Sequence, residues 1–309
     1  MLKPNIRILD FDGSVKAQSN LLSKYPHQVI SLTDLAPRVR LWMDARARKT
    51  IQERVGIDGQ DSVTFIGSGD FHHISSLLLN QFAEPISLIN FDFHPDWDIL
   101  SPRYSCGAWI NQALKMKNVL KCVLVGVSSD DISSPWIHSA NLGAFKNDRL
   151  EIYPYTHDAT TVFFRRVPEN KSLKLQRNLF STRINWEELR NKNLRDFFIP
   201  IIKGLPTEKV YVSIDKDCLS PDYALTNWEE GKLALDELFL MLKLIRDNSD
   251  IVGLDITGDY SPVHVCGRLK NLISRWDHPR EIEAQKHSSE EITRLNESTN
   301  LKILEALFS

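Results

Sequence analysis

Short apolar runs rich in Val and Ile recur along the chain, and most end in polar or acidic residues. They cover Ile6–Asp10, Val63–Ile66, Ile86–Phe91, Cys122–Val127, Val210–Ile214 and Ile251–Ile256. Near-continuous apolarity over so few residues suits a strand buried on both faces, which marks a parallel sheet rather than an antiparallel one with a wet face. Between the runs the apolar spacing turns helical, over Leu77–Phe82, Ala108–Met116 and, most clearly, Leu233–Ile245, which is apolar on nearly every side. Strands alternating with helices predict an α/β fold built on a doubly wound parallel sheet. The stretch from Asn141 to Asn193 is less regular and predicts helix, loop and one short strand near Ile152. From about 277 to 309 the chain turns polar and then amphipathic. Leu301, Leu304 and Leu307 share one face there, predicting a terminal helix that packs on the domain or on a neighbouring subunit. No repeat or low-complexity linker divides residues 1–309, so a single domain is expected.

Composition narrows the function classes. Of the 309 residues 42% are hydrophobic, ample for one large core. The formal net charge of -2 provides no global basic field for nucleic acid or for an anionic membrane, and leaves only a local patch open. No apolar run approaches the roughly 18 residues of a spanning helix. The first residues, Met1 to Arg7, contain no uninterrupted apolar region of the kind a secretory signal needs. Cys106, Cys122, Cys218 and Cys266 show no C-x-x-C spacing, so reduced thiols in a cytoplasmic enzyme are expected.

Chemistry concentrates where three strands end. The segments are Gly67-Ser68-Gly69-Asp70-Phe71-His72-His73, Asp92-Phe93-His94-Pro95-Asp96 and Ser213-Ile214-Asp215-Lys216-Asp217. In open α/β sheets ligands bind beyond the carboxyl ends of the strands, so the three would meet in one crevice. Residues two apart in an extended chain point the same way, which would focus Asp92, His94 and Asp96 together, and Asp215 with Asp217. A lone Asp after a strand is ordinarily a helix cap or a turn residue. A cluster of carboxylates in a partly buried cleft is different, because it is prohibitively unfavourable without cations. Carboxylates with imidazole and no thiolate favour hard to borderline metals such as Mn2+, and six ligands suit two ions bridged by an Asp and a hydroxide.

The three segments, in this order, resemble the signatures of the arginase/agmatinase (ureohydrolase) family: G-G-D-H, D-A-H-x-D and S-x-D-x-D. The likeness spans roughly Val63 to Pro262. It implies a three-layer α/β/α fold with a mostly parallel sheet and a homo-oligomer. It also implies hydrolysis of a C–N bond in a guanidino or amidino small-molecule substrate, with two Mn2+ ions or another divalent metal such as Ni2+. The metal ligands it implies are His72, Asp92, His94, Asp96, Asp215 and Asp217. Here one extra residue separates Asp70 from the imidazoles. Matching His72-His73-Ile74-Ser75 to the family's H-S-I-T selects His72, with His73 the other candidate.

Further segments fit less closely. Gly253-Leu254-Asp255-Ile256-Thr257-Gly258-Asp259-Tyr260-Ser261-Pro262 resembles L-D-x-x-E-x-N-P, which places Asp259 where the family has a Glu holding the guanidinium. Where the family has a proton-shuttling His after D-A-H-x-D, this chain has Cys106. A thiol of lowered pKa could donate that proton, as could Asp96. Trp228, in the loop after the D-x-D strand, is placed to stack on a cationic group at the substrate rim. These departures imply a divergent branch whose substrate is not arginine.

Two other readings compete. Asp10-Phe11-Asp12-Gly13-Ser14-Val15 resembles the signature of haloacid-dehalogenase-type phosphatases, in which Asp10 would be a nucleophile beside Mg2+. The lost His also admits a metal-binding pseudoenzyme. Turnover, not metal content, separates that reading from an enzyme.

Overall fold

The apolar runs form the strands of one sheet. The computed structural model describes residues 5–56, 62–278, 284 and 286–308; the reading of Met1 to Pro4 and of residues 279–283 and 285 in the tail lies outside the described residues. In chain order the strands are β1 (Ile6–Asp10), β2 (His27–Ser31), β3 (Val63–Gly67), β4 (Ile86–Phe91), β5 (Val119–Val125), β6 (Leu150–Tyr153), β7 (Thr160–Phe163), β8 (Leu173–Arg177), β9 (Ser181–Trp186), β10 (Lys209–Asp215) and β11 (Asp250–Thr257). Eight of them make a sheet in the order β2-β1-β3-β11-β10-β4-β5-β6. Every pairing in it is parallel.

Alternate residues of each strand feed separate cores on the two faces. Leu88 and Leu124 point into one, Ile89, Phe91, Val123 and Val125 into the other, so the sheet lies between two layers. The helix Leu235–Asn248 covers one face with Leu238, Met241, Leu242 and Ile245. The tail forms the helix Ser289–Phe308, which buries Ile303, Leu304 and Leu307 in that same core.

Two stretches depart from the expected pattern. β2 is an edge strand with residues mostly exposed, so it has no apolar run to announce it. The irregular stretch does carry a strand over Ile152 (β6), but it also holds a separate three-stranded antiparallel sheet, β7-β9-β8. Its strands are wet on one face. In β9, Thr182, Ile184 and Trp186 are buried while Arg183 is exposed, and the interleaved polar residues hide the strand among charge clusters.

Candidate metal centre

β3, β4 and β10 lie near the middle of the sheet, and all three end at the same edge, where the chain breaks into turns. His72 stands in the short 3-10 helix Gly69–Ile74 after β3. Asp215 is the last residue of β10, and Asp217 lies in the turn Lys216–Cys218 that follows. Asp92, His94 and Asp96 follow β4 but do not continue it as a strand. They converge through a turn in which Asp96 has φ of +46°, so the expected strand alternation is not what focuses them.

The side chains meet closely. His72 Nδ1 lies 3.2 Å from Asp92 Oδ2, 3.5 Å from Asp96 Oδ2 and 3.4 Å from Asp215 Oδ2. His94 Nδ1 lies 3.0 Å from Asp217 Oδ2 and 3.9 Å from Asp92 Oδ1. Two donor triads result, His72–Asp92–Asp96 and Asp92–His94–Asp217, and within each the ligand atoms lie within 4.8 Å of one another. Asp92 belongs to both. The group forms the floor of a cavity of about 550 Å³, walled by Leu41, Trp42, Trp97, Cys106, Trp136, Trp228 and Ile273 among others.

A buried polar row beneath the floor aims these groups. In register, Asn90 of β4 faces Ser213 of β10, Ser213 faces Asp255 of β11, and Asp255 faces Thr64 of β3. Ser213 Oγ donates to Asp255 Oδ1 (2.6 Å) and lies 2.9 Å from His72 Nε2. With its proton committed to Asp255, Ser213 accepts from Nε2–H, which turns His72 Nδ1 toward the carboxylates. Tyr211 OH braces the other oxygen of Asp255 at 2.8 Å. Asn90 Nδ2 donates to Asp92 Oδ2 (3.0 Å), and Trp109 Nε1 donates to Asp96 Oδ2 (2.6 Å). His94 Nε2 lies 3.1 Å from Glu229 Oε2, giving the second imidazole its own carboxylate partner. Ser213 and Asp255 fall inside the segments matched from the sequence, without a supporting role assigned there, and Glu229 is the neighbour of Trp228. For Asn90, Ser213 and Asp255 the signal is a polar residue inside an otherwise apolar strand.

Electrostatics tests whether the donors fit a cation. Burial, together with the charge of Asp92, pushes the Asp96 carboxyl well above its usual range. Burial and Asp217 do the same to Asp215, and burial and Asp92 raise Asp217. Burial opposes protonation of His72, yet the hydrogen bond and charge of Asp92, with Asp215 and Asp255, carry it up to about 9. Left to themselves, these groups collect protons to relieve like charge. Divalent cations relieve it in the same place, and the oxygen-rich, thiolate-free set suits hard to borderline ions.

A model of the arginase family matches residues 27–264, most of the chain. The chain belongs to the arginase family. A Thermotoga maritima protein described only as uncharacterized is 27% identical over 266 residues, covering 85% of this chain and 83% of its own. The solved arginase from Bacillus subtilis superposes with a TM-score of 0.57 at 11% identity, covering 98% of this chain and 97% of that one. The proclavaminate amidino hydrolase from Streptomyces clavuligerus does so with a TM-score of 0.55 at 15% identity, covering 96% and 92%. At such identities the structural likeness speaks for the fold.

Within this family fold, the remaining singled-out residues separate. His73, beside His72, is fully buried, and neither ring nitrogen has a hydrogen-bond partner; burial lowers it to about 3. It is His72 that faces the carboxylates. Cys106, half-buried in the turn Cys106–Ala108, lines the cavity, as does Trp228, whose Nε1 donates to Asp70 Oδ1 (3.0 Å). Asp70 in turn takes an ion pair with Arg40 at 2.9 Å and a contact with His278 Nε2 at 2.8 Å. Asp259 is not brought to the cavity. Its carboxylate is buried, 2.9 Å from the ammonium of Lys216, and accepts from Gln18 Nε2 (2.7 Å) and Asn300 Nδ2 (3.3 Å). Asp10 and Asp12 also stay outside. Asp10 accepts from Gly13 N (3.0 Å), and Asp12 joins the ends of β1 and β3 by accepting from Ser68 N (3.0 Å) and Ser261 Oγ (2.7 Å). That is the work of a turn, and neither carboxylate lines the cavity that holds the His and Asp cluster.

Proposed function

We propose that this chain is a binuclear, Mn2+-dependent hydrolase that cleaves a C–N bond in the guanidino or amidino group of a small molecule. Membership of the arginase family supports a hydrolase of guanidino-type C–N bonds. The observation that carries the finer reading is the sharing of Asp92 by two donor triads at the floor of one cavity. His72, Asp92, Asp96 and Asp215 would hold one ion, and His94, Asp92, Asp215 and Asp217 the other. When bound, the pair of ions supplies Lewis acidity and acidifies a water molecule at neutral pH.

The chain's own groups supply the rest. The Ser213–Asp255 pair holds His72 Nε2 and so fixes its ring. Glu229 does the same for His94. Trp109 occupies Asp96 Oδ2, which leaves Oδ1 as the oxygen to pass a proton to a departing nitrogen. The Cys106 thiol lines the same cavity and is the second candidate for that proton. Trp228, anchored by Asp70, presents its ring to a cationic group, and the aromatic and aliphatic walls exclude bulk water.

The test is urea or ammonia release from a panel of guanidino, ureido and formimino compounds, with Mn2+ and with Ni2+. Turnover of at least one compound, abolished in Asp92→Asn, is expected. Ions bound at the centre with no turnover across the panel would instead assign a metal-binding pseudoenzyme.

A further inference from the structure

We propose that the tip of the three-stranded antiparallel sheet is a docking surface for the anionic headgroups of a lipid bilayer. β7 ends where β9 begins, with Phe163 opposite Ser181, so Phe163–Phe164 and the β8–β9 turn share one end of the sheet. Phe164 N donates to Phe180 O at 2.9 Å and locks the two loops together. The rings form one crown: Phe163 and Phe164 lie 6.5 Å apart, and Phe164 and Phe180 lie 6.2 Å apart. Leu179 completes it. Exposures of 49% for Phe163, 83% for Phe164, 87% for Leu179 and 61% for Phe180 leave this apolar surface in water. Folding gives no reason for it. Phe164 has φ of +55°, a left-handed backbone that Gly or Asn holds readily and a phenylalanine only with strain.

Charge identifies the occupant. Residues 160–183 contain six Lys or Arg and one Glu, in a chain whose net charge is -2. Arg177 pairs with Glu169 and Lys174 with Glu187. Near the tip, Arg166 and Arg183 are exposed, and neither pairs with a described acidic side chain. Arg183 stands opposite Thr161, on the same outward face as Phe163. A convex apolar crown with a basic collar suits an interface that deforms around it, with rings in the headgroup layer and cations against phosphates. A protein partner would have to offer a matching hollow. A nucleic acid would need stacking faces, and Leu179, the most exposed member, has none.

Sedimentation of the full chain with phosphatidylcholine vesicles, with and without phosphatidylglycerol, tests this. Binding is expected only to the anionic vesicles, and it should weaken as salt rises. A Phe164→Ser, Phe180→Ser double variant and an Arg166→Glu, Arg183→Glu double variant should each weaken it about tenfold or more. Unchanged far-ultraviolet circular dichroism and metal binding would verify that these variants fold. Wild-type protein that ignores anionic vesicles at low salt would overturn the proposal, as would binding indifferent to both variants. A self-association lost with Phe164→Ser, Phe180→Ser and no vesicle binding would assign the tip to a second copy instead.

Discussion

Ser213 Oγ stands between His72 Nε2 and Asp255 Oδ1, and its single proton goes to the carboxylate. The imidazole must therefore donate, and its other nitrogen is left for a cation. Ser213→Ala removes this constraint without opening a large void. Mn2+ affinity measured by calorimetry should fall by about 10–100-fold while the far-ultraviolet spectrum is kept; an unchanged affinity would take Ser213 out of the account. The cysteines divide at the same scale. Burial pushes the Cys122 thiol up to about 12, and burial with Asp217 raises Cys218 well above its ordinary value. Cys266 is exposed and Cys106 half-buried in the cavity wall. Thiol titration of the native protein should find Cys106 and Cys266, with Cys122 and Cys218 reacting only after unfolding. Protection of Cys106 in the native state would argue against its reaching the substrate.

At the level of elements, the turns beyond the strands carry the site, and they depend on close backbone approach. Gly258, just after β11, has φ of +87°, and a Cβ there would come within 2.5 Å of Asp215 Oδ1 and 2.7 Å of Lys216 N. Gly258→Ala should cost about 1–3 kcal/mol of stability through backbone strain and displace Asp215. Urea unfolding and metal content measured on one sample would check both losses, and a variant normal in both would refute the packing described. The strands that reach these turns were legible in the sequence because they are buried on both faces and read as apolar runs. β2 was not, because an edge strand needs no such run, and β7 to β9 were not, because half-wet strands dilute their pattern with charge. The convergence of Asp92, His94 and Asp96 was legible, but not its cause, since a left-handed Asp96 leaves no local pattern. The pairing of Asp259 was hidden by distance along the chain. Its clue lies between Asp215 and Asp217, where a buried lysine must find a counter-charge, and Lys216 finds Asp259.

Over the whole molecule, the parallel sheet gathers residues far apart in sequence at one edge, and the terminal helix closes the structure behind them. Glu297 of that helix accepts from Asn20 N (2.6 Å) and Leu21 N (3.1 Å), and Asn300 reaches Gln18 and Asp259. Asp259 pairs in turn with Lys216, which lies between Asp215 and Asp217, so the tail is linked through buried contacts to the turn after β10. Asp92 is the one carboxylate common to both triads, so the proposed pair of cations depends on it first. The most direct check is the manganese content of protein stripped with a chelator, reconstituted and desalted, for the wild type beside Asp92→Asn. Two ions per chain in the wild type, both lost in a folded Asp92→Asn, is the predicted result. A wild type that retains no stoichiometric metal, or an Asp92→Asn protein that keeps both ions, would contradict it.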